Sequence, residues 1–122
     1  MPPAETFEFD RAEKGEAVKI ISANLPKDEC RVIFDSVVSD VRELKESVID
    51  GVAEAAVGSN TVSISFGQSC HYVDLETDKV AYNFNLVGTY PITDKGPSRR
   101  ALELAGRIHG KIVECVAIFA YE

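Results

Sequence analysis

Cys70 and His71 carry the sharpest chemistry in this chain of 122 residues. They lie in the run Gly67-Gln68-Ser69-Cys70-His71, where a turn or irregular backbone would expose the thiol. A nucleophilic cysteine needs a neighbouring base or positive field to hold it as thiolate. His71 supplies that base only if the backbone departs from a regular strand, because strand neighbours point to opposite faces. His109 supplies it only if its own helix comes close. No acidic residue is placed to orient either ring, so the plainer reading is a turn cysteine beside a half-buried histidine. Zinc fits no better. Two histidines and three cysteines without a close pair offer no ligand set, and neither metal nor cofactor is expected.

Lys95, Ser98, Arg99 and Arg100 form the second constellation, in Lys95-Gly96-Pro97-Ser98-Arg99-Arg100. Ser98 reads as a helix N-cap, and cations just after it oppose the helix dipole. A bound anion would reverse that penalty, since free N–H groups and arginines would converge on it. The glycine spacing of a Walker loop is missing. Pairing with the chain's own Asp94 or Glu103 is the competing explanation.

Two surfaces have a recognition composition. Tyr72, Asn83, Asn85 and the loop residue Tyr90 stand beside Asp74, Glu76 and Asp78, as tyrosines ringed by polar groups do at interfaces. The acidic trio lacks the twelve-residue calcium-loop pattern and reads otherwise as a solvated strand face. The second surface is an acidic ridge with Asp35, Arg42, Glu43, Glu46, Asp50 and Glu54.

That ridge belongs to the longest periodic stretch, Lys27 to Val57. At 100° per residue, Cys30, Ile33, Phe34, Val37, Val41, Leu44, Val48, Val52 and Ala55 share one line. Val38, Ile49 and Ala56 widen it. A helix is predicted there, opened by Pro26, supported by Asp28 and Glu29, and ended by Gly58-Ser59-Asn60. Unbroken it would reach roughly 45 Å, so a bend or break near Gly51 is expected.

The remaining elements are strands and one shorter helix. Phe7–Phe9 and Val18–Ile21 suggest a hairpin after a frayed start over residues 1–6. Three alternating runs predict a meander: Thr61–Gly67, His71–Leu75, and Val80–Val87 after a turn at Thr77-Asp78. A short helix should run from Ser98 to near Gly110, with Ala101, Leu104, Ala105 and Ile108 inward. Ile112–Tyr121, apolar on both sides, reads as a central strand. The fold class is therefore α+β in a single domain. It has a mostly antiparallel sheet of five or six strands, one long and one short helix on one face, and the order β-β-α-β-β-β-α-β.

Charge narrows the partners. The formal net charge is −7. Residues 1–57 hold 13 acidic and 7 basic side chains, and 58–122 hold 7 and 6. An acidic surface has the wrong sign for nucleic acid or an anionic membrane. Residues 1–17 lack the apolar run that targeting needs, and no apolar stretch reaches spanning length. Three unclustered cysteines, with Cys30 and Cys115 on apolar faces, are no disulfide framework. These features predict a cytoplasmic, non-enzymatic protein-binding domain that covers a basic surface on another protein, as an inhibitor, immunity protein or adaptor. The alternatives are a phosphate- or nucleotide-binding enzyme using Arg99, Arg100 and Cys70/His71, and a structural subunit of a homo-oligomer.

Overall fold

The computed structural model describes residues 8–74, 79–93 and 95–120, with backbone alone at 69–74, 79, 80 and 120. Helix α1 spans Lys27–Asp40. Pro26 precedes it in extended conformation, and the Pro26 carbonyl accepts from the Cys30 N–H at 3.1 Å. Asp28 and Glu29 sit at the positive end of the helix dipole. Cys30, Ile33, Phe34 and Val37 make its buried side.

The helix stops at Asp40 and does not continue to Val57. Val41 leaves helical geometry at φ −100° and ψ 96°, its N–H closing the last turn on the Val37 carbonyl at 2.9 Å. Val41 and Leu44 still reach the core, but from a turn. There follow strands β2 (Lys45–Glu46) and β3 (Val52–Val57). Steps of three and four from Val41 to Val48 mimic a helix, yet Val48 is fully exposed. Ala53 and Ala55, both buried, keep the period of two that marks a strand. Gly51 therefore breaks no helix; it lies in the turn between β2 and β3, at φ +77°. Gly58, at φ +60°, and Ser59 form a two-residue hairpin link instead of a helix end.

Strands β1 (Glu16–Ser22), β4 (Asn60–Asp74) and β5 (Lys79–Thr89) complete an antiparallel sheet of order β1-β5-β4-β3-β2. Two runs expected as separate meander strands are joined in β4. A register shift between Gln68 and Val73 falls where they were to part. The expected turn at Thr77-Asp78 lies outside the described residues. Of the first expected strand, Phe7–Phe9, Phe7 lies outside the described residues and Glu8 and Phe9 form no strand; the next residue, Asp10, makes a single bridge with Val18.

Helix α2 runs through Arg99–Ala120, so the predicted stop at Gly110 and the terminal strand are both replaced by helix. Ala101, Leu104, Ala105, Ile108, Ile112 and Cys115 are buried at steps of three and four, whereas Val113 and Ile118 are exposed. Apolar residues on the exposed side hide that period from a sequence reading. The fold is thus α+β, a five-stranded antiparallel sheet carrying one long and one short helix. The long helix is α2, with 22 residues, and the short one is α1, with 14. The element order is β-α-β-β-β-β-α.

Cross-strand register sorts the sheet into two faces. Ile21, Phe84, Phe66, Leu86, Ile64, Val62, Ala53 and Ala55 share the side under both helices. Val18, Ile20, Asn83, Asn85, Val87, Ser63, Ser65 and Glu54 share the other. At the start of α2, the Ser98 hydroxyl accepts from the Ala101 N–H at 3.2 Å, an N-cap. The Ser98 N–H donates to the buried Asn60 side-chain oxygen at 3.0 Å, tying the helix to the sheet.

Helical register in the last segment has a direct consequence. Ile112→Ala should lower unfolding free energy by about 2–5 kcal/mol, the usual range for a core truncation. Val113→Ala should stay within about 0.5 kcal/mol, as exposed substitutions do. Urea unfolding measures both, and a strand buried on both faces would instead make both changes costly.

Candidate functional site: the turn between β2 and β3

Ser47 to Gly51 forms a tight, internally bonded turn. The Ser47 N–H donates to the Val52 carbonyl at 2.9 Å, and the Val52 N–H to the Ile49 carbonyl at 3.3 Å. The Ser47 hydroxyl accepts from the Ile49 N–H at 3.1 Å and donates to its carbonyl at 3.2 Å. A short polar side chain next to the backbone is what stabilises such a turn.

The turn is seated on Phe66. A Cβ added to Gly51 would lie 3.5 Å from that ring. The Arg31 guanidinium lies 5.2 Å from the Phe66 ring centroid and 5.7 Å from that of Phe34. Arg31 also binds Asp50 at 2.9 Å and pairs with Asp35 at 3.8 Å. One cation therefore covers the aromatic edge of the core and fastens the turn to α1. At the tip, Val48 is 105% exposed and Ile49 64%, the two most exposed large apolar side chains among the described residues. Burying such a side chain against a partner is worth about 1.5–3 kcal/mol. Glu46 and Asp50 flank the pair, both exposed.

The expected site residues scatter. Glu43 and Glu46 are not on one helical ridge with Asp35: Asp35 is in α1, Glu43 in the following turn and Glu46 in β2. Glu43 receives a forked pair of hydrogen bonds from Arg107 of α2, the second at 3.2 Å. That bonding holds the Glu43 carboxyl below the usual carboxylate range, against the opposing effect of desolvation. Asp40 pairs with Lys111 at 2.7 Å, a second tie from the end of α1 to α2. Asn83 and Asn85 are half-buried on the sheet face away from the helices. Tyr90 leaves the exposed surface proposed for it. It is buried, its N–H donates to the Gly15 carbonyl at 2.9 Å and its hydroxyl to the Glu16 carbonyl at 3.4 Å. Tyr72 and Asp74 lie in the distal part of β4, and Glu76 lies outside the described residues.

The basic run at the start of α2 is partly consumed internally. Arg99 pairs with Glu103 at 3.3 Å, and Ser98 is the N-cap. The Lys95 carbonyl accepts from Arg11. Arg100 is exposed and lines a hollow of about 250 Å³ beside the end of β3. Cys70 and His71 fall within the register shift of β4, while His109 is half-buried on α2. Cys30 is fully buried, and burial, with the charge of Glu29, pushes its thiol up to about 11. It stays protonated and unreactive near neutral pH. Among the described residues, no group of three His, Cys, Asp or Glu is placed to hold a metal ion. Nor is any described helix long and apolar enough to cross a membrane.

Sequence reading missed the turn because it placed Val48 and Ile49 on the buried side of a helix. The available signal was Asp50-Gly51, a turn dipeptide directly after two β-branched residues. Comparison with protein-family models, with curated proteins and with solved structures gave no match.

Positive φ at Gly51 makes the turn testable. Gly51→Ala should cost about 1–2 kcal/mol, the penalty of a left-handed conformation for an L side chain. Gly67→Ala, with no atom within 4 Å of the added Cβ and no positive φ, is the control and should not destabilise. Chemical denaturation of the two variants checks the difference.

Proposed function

We propose that this chain is a non-enzymatic protein-binding domain whose contact element is the turn between β2 and β3. The observation that carries this reading is the presentation of Val48 and Ile49, exposed side by side on a turn bonded to itself and to Arg31. Scattered exposed aliphatics are ordinary. Two adjacent ones on a fastened tip lose little conformational freedom on binding, which is how a small apolar knob becomes an affinity anchor. Glu46 and Asp50 beside the knob, and a net charge of −7, favour a partner pocket rimmed by Lys or Arg. The role that fits is a small acidic inhibitor, immunity protein or adaptor. Free, buried Cys30 and Cys115 suit a reducing, cytoplasmic setting.

The test is capture by the tagged protein from source-cell lysate, at low salt and at about 0.5 M salt, where surface charge is screened. A stoichiometric basic partner is expected, held less well at high salt. The double change Val48→Ser and Ile49→Ser should leave the unfolding midpoint in place and weaken the complex about 30-fold or more, the range of an interface hot spot. Equal capture by the double variant, or no stoichiometric partner, would overturn the proposal.

A further inference from the structure

A different place in the fold offers a second binding edge. The Val52 carbonyl accepts from Ser47, so the main-chain groups of Val52, Glu54 and Ala56 point away from β4, by the alternation of an antiparallel ladder. The β2 ladder pairs Glu46 with Ala53 and Lys45 with Glu54, then ends. Continued in register, Glu43 would face Ala56, but the chain instead turns at Leu44, whose N–H donates to the Val41 carbonyl at 3.0 Å. The outward N–H and C=O of Ala56 are thus left beyond the ladder. They adjoin the 250 Å³ hollow lined by Ala56, Val57, Gly58, Leu104 and four charged residues.

Those four charges, Glu43, Glu103, Arg100 and Arg107, sum to zero, but their pairing leaves one cation over. Glu43 is taken by Arg107 and Glu103 by Arg99. Arg100 pairs with no carboxylate among the described residues. A free strand edge next to an unpaired guanidinium suits one kind of occupant. Main-chain groups of an extended peptide would bond the edge, and a carboxylate on it would meet Arg100. We infer that the β3 edge at Ala56 binds a short extended peptide carrying a carboxylate, with Arg100 as its receptor. β2 blocks one end of the slot, so the peptide engages over two or three residues and no more.

Nuclear magnetic resonance titration of the 15N-labelled protein tests this with three acetylated tetrapeptides of alternating threonine and valine. The first has a free C-terminal carboxylate, the second is amidated, and the third is amidated with glutamate as its last residue. Saturable shifts at the Ala56 and Gly58 amides are expected, about tenfold weaker for the neutral peptide, as loss of a charge-assisted hydrogen bond implies. Arg100→Gln, at an exposed position, should erase that preference while leaving the rest of the spectrum unchanged. Strong binding of the first peptide alone assigns a chain terminus; equal binding of the first and third assigns any carboxylate in the segment. Equal binding of all three, retained preference in Arg100→Gln, or no saturable shift at Ala56 would overturn the inference. The Val48 and Ile49 turn plays no part in this experiment, so the two readings stand or fall separately.

Discussion

A single apolar layer under one face of the sheet governs the rest of the molecule. Ile33, Phe34 and Val37 from α1, and Ile108 and Ile112 from α2, meet Ile64, Phe84 and Leu86 of the central strands. Both helices are held to the sheet by that layer, and the ion pairs Glu43–Arg107 and Asp40–Lys111 only trim their mutual position at the surface. The layer ends at Phe66, which is half-buried and packs at tilted angles against Phe34, Tyr82 and Phe84. An aromatic edge of that kind has to be covered or left in water. Here Arg31 covers one side and Gly51 closes on another. The turn that exposes Val48 and Ile49 is therefore an extension of the core, built outward through one arginine.

This arrangement explains why apolar residues occur on both the inside and the outside of the same stretch. Between Val41 and Val52 the chain buries Val41 and Leu44, exposes Val48 and Ile49, and returns to the core at Ala53. A periodicity search sees only apolar residues at steps of three and four and draws a helix through them. The same confusion operates in reverse near the end of the chain. Val113, Ala117 and Ile118 are exposed on α2, so a regular helix looks apolar all round and resembles a buried strand. Where exposure and polarity agree, the sequence was sufficient. The start of α1 after Pro26, the alternation of Val62, Ile64 and Phe66, the Ser98 cap and the burial of Cys30 all follow from local rules. The fold class was legible for that reason, and the element boundaries were not. In the candidate site, the exposure of Glu46 was legible from its charge, but the exposed apolar tip beside it was not.

Charge and shape divide the surface into regions with different aptitudes. The turn tip is apolar, with Glu46 and the Arg31-paired Asp50 beside it, the setting from which a basic partner is proposed. The β3 edge instead has Arg100 beside it, the proposed receptor of a carboxylate. The sheet face away from the helices mixes the neutral Ser63, Ser65, Asn83 and Asn85 with aliphatic Val18, Ile20 and Val87 and the carboxylate of Glu54. An acidic protein need not present acid everywhere, and here Arg100 at the start of α2, which pairs with no carboxylate among the described residues, stands beside open main-chain groups.

Pre-organisation of the turn is the central claim, and amide hydrogen exchange of the free protein measures it directly. The Ile49 and Val52 N–H groups, each bonded within the turn, should exchange far more slowly than Val48, and Arg31→Met should speed both by releasing Asp50. If Ile49 and Val52 exchange at the rate of an unstructured peptide in the unmodified chain, the turn is not held, and its apolar tip is merely exposed surface.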